Sequence, residues 1–178
     1  TCPVYYESRV ISLQLNEFVL KDVDDEYESM LVNEEAEEYA LEKSKHELGR
    51  IDTILGADET IDSLVKDILS HYENFRQYEQ TGKAMIVAYS RPIAMKIYHR
   101  ILELRPSWTE KLAVVMTSSN KDQEEWRAII GNDSYKKELE KQFKDDASPL
   151  KMVIVVDMWL TGFDVPSLST MYVYKPMV

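Results

Sequence analysis

A run of five apolar residues, Met152 to Val156, constrains the fold of this chain more than any other feature. The sequence MVIVV shows no alternation of polar and apolar side chains. Such a run is typical of a strand covered on both faces, as in a parallel sheet between layers of helices. It leads into Thr-Gly-Phe-Asp at 161–164. Because open α/β sheets bind ligands just beyond the carboxyl ends of their strands, these polar residues are the first candidates for a functional site.

Strands and helices are predicted to alternate after Gly82. Ser90 can cap the first of these helices, with Pro92 in its first turn and an apolar stripe from Ala94 to Leu102. The predicted strands are Ala84–Tyr89, Leu112–Thr117, Met152–Val156 and a short one near Met171–Tyr174, and two further helices are predicted at about 121–130 and 134–144. Alternation of this kind implies right-handed crossovers and a mostly parallel sheet, which defines the fold class as α/β.

The first 80 residues differ from the rest in charge. Residues 1–80 carry 7 basic and 20 acidic side chains, whereas residues 81–178 carry 14 basic and 12 acidic ones. This asymmetry predicts two parts, 1–80 and 81–178, and only the second is neutral enough to approach a phosphate backbone. The plainer alternative is that the acidic part is a solvated helical surface.

Within the acidic part, residues 1–20 are predicted to be extended. A helix is predicted around residues 34–49, with Gly49 as its stop. A second helix, residues 60–79, has apolar side chains at helical spacing up to Phe75 and should pack on a core.

Composition describes a soluble globular chain, with 178 residues, 44% hydrophobic and 30% charged. No apolar run approaches the roughly 20 residues that span a membrane, and the amino terminus lacks a signal pattern. The single cysteine, Cys2, leaves no partner for an internal disulfide and fits a reducing compartment. Because the chain begins with Thr1, we expect it to be a piece of a longer protein.

Two familiar kinds of site are not expected. A phosphate loop of the GxxxxGK[ST] type needs paired glycines, and the five glycines never stand at that spacing. The histidines, His46, His71 and His99, lie far apart with no cysteine pair, so no metal site is predicted.

Three strand ends carry polar residues, at 89–91, 117–120 and 161–164. All three follow predicted parallel strands and should emerge at one edge of the sheet. Hydroxyl, amide and backbone N–H groups contact phosphates without distinguishing bases. The carboxylate of Asp164 would instead accept hydrogen bonds, for example from ribose hydroxyls or an arginine. The alternative is ordinary helix capping by Ser90, Ser119 or Asn120, and Asp164; the shared edge favours a site.

Two long segments resemble a known family. KAMIVAYSRPIAMKIY (Lys83–Tyr98) and KMVIVVDMWLTGFDVPSLSTMYVYKPM (Lys151–Met177) resemble the restriction subunit, HsdR, of type I restriction–modification enzymes. VYYESRV (Val4–Val10) is similar to the segment that follows the first motor domain of those subunits. The resemblance covers most of the chain.

The resemblance implies an ATP-dependent DNA translocase of helicase superfamily 2, joined to a nuclease and built on two RecA-like domains. Residues 1–80 would be a connector, and 81–178 an incomplete second RecA-like domain. Ala84–Arg91 would correspond to helicase motif IV and Val155–Pro166 to motif V. The implied DNA-binding residues are Ser90, Arg91, Thr117, Ser118, Thr161 and Gly162, and those implied at the nucleotide cleft are Gly162 and Asp164.

The resemblance also implies what this chain lacks. Neither the Walker lysine and acidic pair, nor the nuclease residues, nor motif VI is found, so no catalytic residue is assigned and the chain alone should be inactive. The parent protein would be a cytoplasmic, site-specific deoxyribonuclease using ATP and magnesium, with none bound by this fragment. Its partners would be double-stranded DNA and the methylase and specificity subunits, with no membrane. Two alternatives stay open: an independent α/β module binding an anionic small molecule, and a structural domain whose acidic helices dock on other subunits.

Overall fold

A computed structural model describes residues 5–9, 36–160 and 164–176. The chain divides into two compact units, Thr1–Leu64 and Val65–Val178. The predicted division after residue 80 was drawn from charge, which a division by contacts does not test, and it stays a prediction. Within the described ranges, no helix is both long and apolar enough to cross a membrane.

Helix α1, Ala36–Leu55, dominates the described part of the first unit. The prediction that Gly49 stops this helix was wrong. A glycine costs an exposed helix only about 1 kcal/mol, and the residues after it support another turn. The helix ends instead near Gly56, whose N–H donates to the carbonyl of Asp52 at 2.9 Å. The extended conformation predicted for residues 1–20 lies outside the described residues except at 5–9, which have no regular secondary structure.

Helix α2, Asp58–His71, continues into a π-helical turn, Tyr72–Arg76. The wider turn changes the helical phase, which explains a second error of prediction: Phe75 does not face the core and is 62% exposed. Tyr72 is buried, and its hydroxyl donates to the carbonyl of Gly82 at 2.7 Å. Burial raises the pKa of Tyr72 to about 12.

Four parallel strands form one sheet in the order β2-β3-β1-β4. They are β1 (Lys83–Ala88), β2 (Leu112–Val115), β3 (Met152–Val155) and β4 (Leu168–Tyr174). Every residue of the first three strands is buried, and all of them except Lys83 are apolar, as expected of strands covered on both faces. The edge strand β4 differs, because Met171 and Val173 are about half exposed.

Helices α3 (Arg91–Leu104), α4 (Glu124–Ile130) and α5 (Asp133–Lys144) flank the sheet, with a short 3-10 turn at Pro106–Thr109. On one face, Leu139 and Phe143 of α5 pack against alternate side chains of β1, β2 and β3. Helix α3 contacts the same three strands through a stripe of buried side chains: Ile93, Ala94, Met95, Ile97 and Ile101. The predicted α/β fold, a parallel sheet flanked by helices, is confirmed.

A buried lysine stabilises the amino edge of the sheet, the side on which the parallel strands begin. The Nζ of Lys83 donates to Asp146 Oδ1 at 2.6 Å and to Ser167 Oγ at 2.9 Å. Its side chain is fully buried, whereas that of Asp146 is 62% exposed. The segment that leads into β4 is thereby tied to the start of β1.

Candidate functional site

The carboxyl ends of β1, β2 and β3 lie side by side, as the sequence predicted. Val155 of β3 is in register with Val87 of β1 and with Val115 of β2. Since all three strands are parallel, the polar segments after them emerge at one edge of the sheet. That edge is the candidate site.

At the end of β1, Ser90 performs the capping role that was weighed against a ligand-binding one. Its Oγ accepts a hydrogen bond from the Ile93 N–H at 3.4 Å and begins α3. The side chain is half-buried. Arg91 follows as the first residue of α3, with Pro92 in the same turn.

Arg91 is held by two residues that sequence reasoning did not single out. Its Nη2 donates to Asp122 Oδ2 at 2.5 Å, and its guanidinium carbon lies 5.5 Å from the centre of the Trp126 ring. The side chain keeps 26% of its surface exposed, whereas that of Asp122 keeps only 5%. This arrangement leaves a cation that is fixed in place and still reaches solvent.

Asp122 also joins the ends of β1 and β2. The same oxygen, Oδ2, accepts the backbone N–H of Ser119 at 2.7 Å. The hydrogen bond from Arg91, followed by that from Ser119, holds the pKa of Asp122 below its usual range. The carboxylate therefore stays charged and bonded to both strand ends at neutral pH.

The segment after β2 presents its polar side chains outward. Thr117 and Ser118 are exposed, and the Nη2 of Arg127 donates to the Asn120 carbonyl at 2.7 Å. Neither Ser119 nor Asn120 caps α4, whose N-cap is Gln123, so the capping alternative fails for both residues. Ser119 Oγ instead accepts the N–H of Lys121 within the turn.

The end of β3 is described only in part. Thr161 and Gly162 lie outside the described residues. Asp164 is exposed, and no helix follows it, because the chain proceeds through Val165 into β4. The helix-starting alternative for Asp164 was therefore wrong. Its place at a nucleotide cleft stays a prediction.

The turn directly after β3 is strained. Asp157 and Trp159 both have positive φ, at 53° and 62°. A bulky residue rarely adopts this conformation, which implies that surrounding contacts impose it. The Trp159 ring stacks on Phe143 of the core at 6.1 Å with an interplanar angle of 24°. This packing anchors the start of the segment that leads to 161–164.

In the described ranges, no three His, Cys, Asp or Glu residues gather as a metal site would require. The chain also has no glycine-rich phosphate loop. The described part of this edge carries the fixed guanidinium of Arg91 and, after β2, the exposed hydroxyl groups of Thr117 and Ser118. Both kinds of group are suited to contact phosphate oxygens.

The fold and this edge define an α/β domain with a parallel sheet, compatible with a partial RecA-like fold. Residues 59–178 match the family described as Type I restriction enzyme subunit R domain 3. The chain therefore belongs to the family of type I restriction enzyme R subunits.

Relatives with curated names agree. The chain is 41% identical over 177 residues to the putative type I restriction enzyme MjaIXP endonuclease subunit of Methanocaldococcus jannaschii, covering 98% of this chain and 16% of the relative. It is 41% identical over 130 residues to the type I restriction enzyme HindI endonuclease subunit of Haemophilus influenzae, covering 70% of this chain and 12% of that protein. The chain thus spans less than a fifth of the length of these relatives.

Proposed function

We propose that this chain is part of the ATP-dependent DNA-translocating motor of a type I restriction endonuclease. In this role Ser90, Arg91, Thr117, Ser118, Thr161 and Gly162 contact the DNA backbone. Gly162 and Asp164 face the nucleotide cleft between two motor domains. The chain alone catalyses nothing, because its function is to supply one wall of a site completed elsewhere in the parent protein.

The observation that carries this proposal is the fixed, partly exposed guanidinium of Arg91 at the shared edge of three parallel strands. Phosphate contacts come largely from arginine, hydroxyl and backbone N–H groups, which bind without reading sequence. A translocase needs such contacts because it moves along DNA of any sequence. Membership of the R-subunit family supplies the second support.

Cofactors and partners follow from the same proposal. The parent protein uses ATP and magnesium. Because the residues of this chain do not form a phosphate loop, the chain contributes to nucleotide binding only through residues at the carboxyl ends of its strands. Double-stranded DNA and the methylase and specificity subunits are the partners that we propose. The location that we propose is the cytoplasm.

The test is to replace Thr161 and Asp164 separately with alanine in the full-length subunit assembled with its partners. We expect loss of DNA-stimulated ATP hydrolysis and of translocation, with assembly unchanged. Thr109→Ala and Asp133→Ala are matched controls, because both residues are exposed and neither follows one of the three strand ends. These controls should behave as the unaltered subunit.

Unchanged turnover in both variants would overturn the role of the 161–164 segment. The two alternative functions predict other results. Saturable binding of an anionic small molecule by this chain without DNA would favour the independent module. Tight association with another subunit, without any effect on DNA or ATP, would favour a docking domain.

A further inference from the structure

We propose that Asp122 is a positioning residue, which holds Arg91 in the orientation that contacts a DNA phosphate. The inference rests on the proposed function, because it presumes that Arg91 touches the DNA backbone. Asp122 itself would not touch DNA. Its role is to link Arg91, which follows β1, to the segment that follows β2.

The contacts of Asp122 support this role. Its buried Oδ2 accepts from the Arg91 side chain and from the Ser119 backbone, and these residues follow two strands that are not neighbours in the sheet. A buried carboxylate is stable only when it is paired and hydrogen-bonded, so the pair is maintained in the folded chain. One oxygen atom therefore links the polar segments that follow the two strands.

Trp126 restricts Arg91 from a second direction. The ring lies beneath the guanidinium at cation–π distance, while Asp122 holds one terminal nitrogen. A free arginine side chain loses rotamer entropy when it is ordered, and ordering it before binding removes that cost from the binding step.

These contacts do not use all the N–H donors of the Arg91 guanidinium. It has five N–H donors, of which Asp122 takes one at Nη2. The Nε is buried and has no hydrogen-bond partner within the described residues. Donors therefore remain for a phosphate on the exposed part of the side chain.

The direction in which Asp122→Ala changes DNA affinity distinguishes a positioning role from simple electrostatic repulsion of the phosphate. A carboxylate near DNA repels phosphate, so its removal should strengthen binding if the residue does nothing else. If Asp122 positions Arg91, its removal should weaken binding, and only while Arg91 is present. Loss of repulsion would strengthen DNA binding and loss of positioning would weaken it. The direction of the change is therefore enough to tell them apart.

The experiment uses the full-length subunit and measures DNA affinity across a series of salt concentrations. The variants are Arg91→Ala, Asp122→Ala and the double variant, with Glu124→Ala as a control that removes a nearby exposed negative charge. We expect Arg91→Ala to reduce the logarithmic salt slope by about 0.9, the value of one phosphate contact. Asp122→Ala should approach the same loss, and the double variant should bind no more weakly than Arg91→Ala, because Asp122 has no arginine left to position.

A conservative variant and a stability measurement exclude a merely structural effect. Asp122→Asn keeps an oxygen that can accept the Ser119 N–H, so it should fold normally and retain part of the salt slope. Unfolding temperatures identify any variant whose loss of binding reflects loss of fold. A general structural role would lower affinity equally with and without Arg91.

The outcomes distinguish this inference from the proposed function. If Arg91→Ala leaves the salt slope unchanged, the phosphate contact of Arg91 is refuted and the positioning role with it. If Arg91→Ala reduces the slope but Asp122→Ala strengthens binding, as Glu124→Ala is expected to do, the positioning role alone is refuted. If adding Asp122→Ala to Arg91→Ala lowers affinity below that of Arg91→Ala alone, the positioning role is refuted as well.

Discussion

Replacing Gly131 with alanine should destabilise the second unit by about 1.5–4.5 kcal/mol, the sum of a backbone cost and a side-chain cost. Gly131 ends α4 with φ 67° and ψ −171°, a combination that is almost confined to glycine. Holding another residue there costs on the order of 1–3 kcal/mol. The strain falls at the junction between α4, which carries Trp126, and α5, which covers the core.

A side-chain clash adds to the backbone strain. A Cβ at position 131 would lie 3.0 Å from the Cβ of Tyr135 and 2.8 Å from its Cγ, with Cδ1 closer still. Tyr135 is 43% exposed and can rotate away. Moving a side chain off its preferred rotamer costs about 0.5–1.5 kcal/mol, so the clash contributes less than the backbone strain.

Urea unfolding followed by tryptophan fluorescence measures this effect, because all three tryptophans, Trp108, Trp126 and Trp159, lie in the second unit. The substitution should be made in the unaltered chain and in a Tyr135→Ala background. We expect a smaller loss in that background, since Cγ and Cδ1 are removed while the backbone strain stays. A loss below about 0.5 kcal/mol in the unaltered chain would refute the strain argument. An equal loss in both backgrounds would refute the clash.

Two further predictions concern the core and its amino edge. Phe143→Ala should cost about 3–5 kcal/mol of the free energy of unfolding because its side chain is fully buried, whereas Phe75→Ala, at 62% exposure, should change it by less than about 0.5 kcal/mol; comparable losses would contradict the assigned faces. The hydrogen bond from Lys83, followed by that from Ser167, lowers the pKa of Asp146 below its ordinary value of 3.8. Its contribution to stability is therefore present above that pH and lost as the pH falls, so Asp146→Asn should flatten the acid side of the stability profile, and an unchanged profile would contradict the pairing.

Strand positions were predictable because burial on both faces leaves a distinct sequence pattern. The runs at β1, β2 and β3 contain few polar residues, and each strand was found within about two residues of its prediction. Parallel pairing and a common edge follow from alternation with helices, so the candidate site could be located without coordinates. The start of α3 was equally predictable, because serine before Arg-Pro is a strong signal for the start of a helix.

The errors arose where local sequence is ambiguous. Gly49 resembles a helix stop, yet a glycine ends a helix only when the residues after it cannot continue the helix. The π-helical turn at Tyr72–Arg76 has no sequence signature, so the orientation of Phe75 could not be foreseen. Asp122 was missed for a different reason. The polar segment TSSNKD predicts a solvated side chain for Asp122. Only the fold brings this residue into contact with Arg91, 31 residues earlier in the chain.

An ion pair lies at each end of the parallel strands, but the partner that is exposed to solvent differs between the two ends. This difference favours the carboxyl edge as the one that meets an anion. At the amino edge the cation, Lys83, is fully buried and the carboxylate of Asp146 is 62% exposed. At the carboxyl edge the carboxylate, Asp122, is 5% exposed and the guanidinium of Arg91 is 26% exposed. Both pairs tie strand ends together, so each has a structural role. Only the second leaves a positive charge facing solvent, and a phosphate that approached the first would meet a carboxylate instead.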